Sequence, residues 1–156
     1  MIYLMPVRSF FILKLFSDDW ADAVLQAYAQ DLSCNTALRS IEVPVEPSAV
    51  HTRGLFSTIK SPAFSEIVFV FYESDVRHAW SMSDNLPRLV RELYEIKECQ
   101  VVFCLDALDE SREALLHLLA LKTERAVAAG LYDFLPCSPL VFSRRMTKDD
   151  HCCLFY

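Results

Sequence analysis

Apolar runs alternate with amphipathic stretches along this chain, and their two periods predict its elements. Residues 9–16 (SFFILKLF) read as a buried strand. Ser17, Asp18 and Asp19 then supply a helix N-cap and first-turn acids, and Trp20, Ala23, Val24, Ala27 and Tyr28 follow at helical spacing. Residues 38–45 (LRSIEVPV) alternate as a strand, with Pro44 and Pro47 placing it at an edge or ending it. Residues 51–64 show no clear period and are expected to be irregular. Residues 67–72 (IVFVFY) are β-branched and aromatic throughout, which suits a strand buried on both faces.

The second half repeats this alternation. Ser83 and Asp84 open a helix with Pro87 in its first turn, and Leu86, Leu89, Val90, Leu93, Tyr94 and Ile96 form its apolar stripe. Residues 101–105 (VVFCL) form a second strongly apolar strand. The longest helical pattern runs over 111–129, with Leu115, Leu118, Leu119 and Leu121 inward, and Gly130 stops it. Residues 140–142 are a short last strand, and the polar residues from 146 read as a tail. Strands separated by helices predict an α/β, three-layer domain with a mostly parallel sheet, occupying residues 1–145 as one unit.

Composition narrows the function classes. The chain has 156 residues and only two glycines, Gly54 and Gly130, so it cannot hold an intact glycine-rich phosphate cradle. A formal net charge of −6, with no basic run interleaved with aromatics, disfavours nucleic acid. The apolar start is interrupted by Arg8 and Lys14, and its longest uncharged stretch is too short for a bilayer. Six cysteines (Cys34, Cys99, Cys104, Cys137, Cys152, Cys153) make no C-x-x-C pair, so a zinc ribbon is not expected. They read as free thiols in a reducing, cytoplasmic setting. The C-terminal Cys153-Leu-Phe-Tyr fits a prenylation box only superficially, and His78, His117 and the trio His151, Cys152 and Cys153 suggest no assembled site.

In parallel sheets, chemistry collects at the carboxyl ends of strands. The most informative end is the one where 101–105 runs into Asp106, with Asp109 and Glu110 three and four positions on. A strand-tip carboxylate can hold hydrated Mg²⁺, and a nearby acid can orient a water. Alternatively, Asp106 caps the next helix and the other two acids are its solvated first turn. Glu73 and Asp75 end the strand 67–72 and offer a second acidic pair, which would allow a small enzyme of another kind.

The segment VVFCLDALDES (101–111) resembles the Walker B motif of NACHT-type STAND P-loop NTPases, the nephrocystin-type domains of fungal NOD-like proteins among them. Pro139-Leu140-Val141-Phe142-Ser143-Arg144 is similar to that family's following sensor strand, with Phe142 where Thr is usual. The resemblance covers about 45 residues. It implies that Asp106 is the Mg²⁺ carboxylate, Asp109 and Glu110 the water-activating acids, and Arg144 the residue near the γ-phosphate, with ATP or GTP as nucleotide. Gly54, Lys60 and Ser61 have the spacing of a phosphate loop, but Ile59 stands where its second glycine belongs. In another alignment, Ser9-Phe10-Phe11 resembles the strand after that loop, and the loop is absent.

The expectation is therefore a degenerate or partial NACHT-like NTPase domain acting in signalling or regulation, at most a weak nucleoside triphosphatase. The alternative is a non-catalytic α/β interaction module that self-associates or binds a partner protein.

Overall fold

A computed structural model describes residues 12–14, 32–45, 49–77 and 85–144. The chain forms β1 (Ile12–Lys14), β2 (Ser40–Pro44), α1 (Ala49–Phe56), β3 (Glu66–Phe71), α2 (Glu73–Arg77), α3 (Asn85–Ile96), β4 (Gln100–Asp106), α4 (Asp109–Ala128) and β5 (Leu140–Arg144). The five strands make one sheet in the order β1-β2-β3-β4-β5, and every neighbouring pair is parallel. The α/β architecture with a parallel sheet is thus the one the sequence predicts.

Side-chain alternation divides the two central strands between two clusters. Ile67, Phe69 and Phe71 of β3 and Val101, Phe103 and Leu105 of β4 join the main core. Val68, Val70, Val102 and Cys104 form a second cluster on the opposite face, with Tyr72 packed against it. Both faces of β3 and β4 are therefore buried, consistent with a three-layer α/β domain.

The main core also receives Leu55 and Phe56 of α1, Val76 of α2, Leu86, Leu89, Val90 and Leu93 of α3, and Leu115, Leu119 and Ala126 of α4. The four helices named above thus share one face of the sheet. The strand order accounts for this, because successive right-handed crossovers that step the same way across a sheet stack their helices on the same side. At the centre, the Phe103 ring packs edge-on against Phe69, Phe71 and Tyr132, with centroids 6.2, 5.2 and 5.9 Å away.

Several expectations are corrected. Residues 51–64 are irregular only from 57 on, since α1 occupies their first part. It is a weakly patterned helix with Gly54 inside it, held by the burial of Thr52, Leu55 and Phe56 rather than by propensity. The short helix α2 also escapes the sequence pattern. Of the two expectations for β2, the second holds: it lies between β1 and β3, and Pro44 ends it. Ile96 and Leu121 are exposed at the margins of their helices. Gly130 does stop α4. It takes φ +76°, its N–H bonds to the Val127 carbonyl, and the Leu131 N–H bonds back to the Ala126 carbonyl. The expected helix after Ser17, the caps Ser83 and Asp84, His78, and the tail with His151, Cys152 and Cys153 lie outside the described residues, as does most of the strand 9–16.

Candidate functional site

The carboxyl tips of β3, β4 and β5 carry the acidic constellation. β4 stays apolar through Leu105 because both its faces are buried, and it ends on Asp106 where the chain leaves the sheet. Asp106 is the register partner of Arg144, so the backbones of the two residues lie side by side on neighbouring tips. Leu105 is likewise paired with Ser143, and Phe71 of β3 with Leu105. Asp109 and Glu110 form the first turn of α4, both exposed, where acids complement the positive end of the helix.

Burial pushes the Asp106 carboxyl above the usual carboxylate range, while the Arg112 guanidinium pulls it back down. Tyr72, at the tip of β3, has its phenol pushed up by burial and then by the charges of Asp106 and Asp75. Arg112 Nη2 forms an ion pair with Asp109 Oδ1 at 2.6 Å, and its buried Nε has no hydrogen-bond partner. The Ser143 hydroxyl is also buried and unpartnered. The helix begins without a side-chain cap, Leu108 occupying that position. Asp106 therefore does not act as the N-cap of α4.

Glu73 and Asp75 lie at this same end of the sheet, following β3. Asp75 is buried and accepts the Tyr72 N–H at 2.8 Å, and Glu73 pairs with Arg77 one helical turn on. Among the described residues, no three His, Cys, Asp or Glu side chains converge into a metal-binding group. Mg²⁺ keeps most of its waters and needs only one or two protein carboxylates, a demand that a single strand-tip carboxylate can meet.

The phosphate-loop candidate is elsewhere, and this corrects the sequence reading. Gly54 is inside α1, and a Cβ added there would meet nothing within 4 Å, so no close approach demands a glycine. Lys60 is exposed. Ser61 is fully buried, donates its hydroxyl to the Leu38 carbonyl at 2.7 Å, and accepts the Ala63 N–H at 3.3 Å. The Ser61 carbonyl accepts from Lys97 Nζ at 2.8 Å. Leu38 precedes β2, Ser61 precedes β3 and Lys97 precedes β4, so this network closes the amino ends of the strands. In a parallel sheet those ends are opposite Asp106. Gly54, Lys60 and Ser61 therefore cannot serve a site built on Asp106.

Two features at the tips were not legible in sequence. Arg112 had a faint signal in its spacing of three from Asp109, which places both on one side of a helix. Ser143 had none. The strand order also never reverses, so the described strands create no switch-point crevice of the kind that receives ligands in doubly wound sheets. Cys34, Cys99, Cys104 and Cys137 form no disulfide, and burial pushes the thiol of Cys99 up to about 12. No described helix is long and apolar enough to cross a membrane.

No protein-family model matches the sequence, and no curated protein or solved structure matches it.

Proposed function

We propose that the chain is a partial NACHT-like NTPase domain that acts in signalling or regulation, with an acidic strand tip for Mg²⁺ and no competent phosphate loop. One observation carries this reading. Asp106 and Arg144, the two positions that resemble the family's metal carboxylate and sensor arginine, are register partners on adjacent carboxyl tips. In this reading Asp106 holds a hydrated Mg²⁺, Asp109 and Glu110 stand at the mouth of the site where an acid can orient water, and Arg112 offsets their charge. Hydrolysis is not expected, because the chain supplies no glycine cradle and its candidate Lys60 and Ser61 lie at the other end of the sheet.

Isothermal titration with ATP and Mg²⁺ tests the proposal. The expected result is saturable, Mg²⁺-dependent binding in the millimolar range that Asp106→Ala abolishes. Absence of binding at millimolar nucleotide overturns the nucleotide site.

The second reading, an interaction module that self-associates, draws on a different region. β5 is the last strand of the described sheet, and its Leu140 and Phe142 are 55% and 38% exposed on one face. Among the described residues no strand pairs with its outer side, and an edge with apolar side chains invites strand pairing. Light scattering after size exclusion tests it. A dimer that Phe142→Lys converts to a monomer supports it, and a monomeric wild type overturns self-association.

A further inference from the structure

Away from the strand tips, α3 and the turn after α4 enclose an open cavity of about 350 Å³, lined by Pro87, Arg88, Arg91, Gly130 and Leu131. Arg88 and Arg91 are three residues apart on α3 and so share one side of that helix. Among the described residues, neither forms an ion pair. The Arg91 guanidinium is fixed by the Phe134 ring, 5.0 Å below it, which orients the side chain without neutralising it. The first turn of α3 has no acidic residue. Glu92, the next acid on that helix, is engaged by Arg53 at 3.3 Å. One carboxylate reaches the rim: Asp133, whose Oδ2 lies 2.9 Å from where a Gly130 Cβ would be. Glu95, exposed and one helical turn beyond Arg91, stands outside the lining, so two guanidiniums with no ion pair among the described residues line a concavity of a chain whose net charge is −6. The rest of the lining is apolar, from buried Pro87 and half-buried Leu131. The volume falls at the lower end of the ~300–1,000 Å³ typical of small-molecule sites.

We propose that this cavity binds a phosphorylated small molecule, with its phosphate on Arg88 and Arg91 and its organic part over Pro87 and Leu131. Two planar guanidiniums suit a phosphate dianion because each presents paired N–H donors to its oxygens. The site is separate from the strand tips and stands whether or not those bind nucleotide.

Titration of the full chain with phenyl phosphate and with inorganic phosphate, followed by calorimetry or amide chemical shifts, tests the proposal. Phenyl phosphate is expected to saturate and to bind more tightly than inorganic phosphate. Arg88→Gln, at an exposed position, is expected to leave the thermal melt unchanged and to weaken phenyl phosphate by roughly tenfold, the usual effect of losing one charged hydrogen bond. The double variant with Arg91→Gln is expected to abolish binding, and Asp106→Ala to leave it intact. The proposal is overturned by absence of saturation, by equal affinity for the two ligands, by unchanged affinity in Arg88→Gln, or by loss of binding in Asp106→Ala.

Discussion

Two serines, one at each end of the sheet, have opposite fates. Ser61, at the amino ends, is fully buried and satisfied: its hydroxyl donates to Leu38 and accepts from Ala63, while Lys97 holds its carbonyl and lies 5.4 Å from the Phe64 ring centroid. Ser143, at the carboxyl ends, has a buried hydroxyl with no partner, and Arg112 beside the same tips ion-pairs with Asp109 through Nη2 while its buried Nε makes no hydrogen bond. A buried polar group without a partner costs free energy, so the carboxyl tips are less fully satisfied than the Ser61 network; the Tyr132 hydroxyl, in the turn between α4 and β5, is a further buried group without a partner. The amino end is a structural clasp. The carboxyl end has spare hydrogen-bonding capacity next to a carboxylate, and that contrast, more than any motif, locates the candidate site.

The comparison can be broken first at the clasp. Ser61→Ala leaves the buried Leu38 carbonyl unsatisfied and is expected to cost about 1–3 kcal/mol, read as a lower urea midpoint with an unchanged slope. A loss below a few tenths would mean that water replaces the hydroxyl and that the amino end is no clasp.

A smaller effect of opposite sign is expected at Asp106. Its folded pKa is raised, so the folded state binds more protons than the unfolded state between the ordinary carboxylate value and the raised one. Stability from this group falls as pH rises through that window and is recovered on acidification. Asp106→Asn is expected to raise the neutral-pH stability by under about 1 kcal/mol, since the partly exposed group is screened by solvent. The gain should shrink as pH falls towards 4. Melts of both proteins across pH check this, and a gain independent of pH would remove ionisation as its cause.

The smallest effect sharpens the contrast. Ser143→Ala deletes a hydroxyl that bonds to nothing and should leave the urea midpoint within about 0.5 kcal/mol of wild type, or raise it. A loss as large as that of Ser61→Ala would show that Ser143 is bonded after all and that the two ends are alike.

Much of the scaffold was legible because burial on both faces leaves a strong mark. The runs at 67–72 and 101–105 became β3 and β4 nearly residue for residue, and the Leu115 and Leu119 stripe with Gly130 behind it became α4 and its stop. The amphipathic stripe of α3 was read correctly except at its end, where Ile96 is exposed. α1 was missed because its eight residues include Gly54 and lack a clear period, and its helical state depends on packing that no local window contains.

At the candidate site, local sequence determined that acids follow β4 and that a helix begins among them. It could not determine which distant residues share that place. Gly54, Lys60 and Ser61 had attractive spacing, and the sheet put them at the wrong end. Arg144 is 38 positions from Asp106, yet a parallel register makes them partners. Spacing along the chain fixes only what a helix turn or a strand repeat brings together. Strand order, crossover hand and register decide which ends meet, because they arise from hydrogen bonds and apolar contacts between segments far apart in sequence.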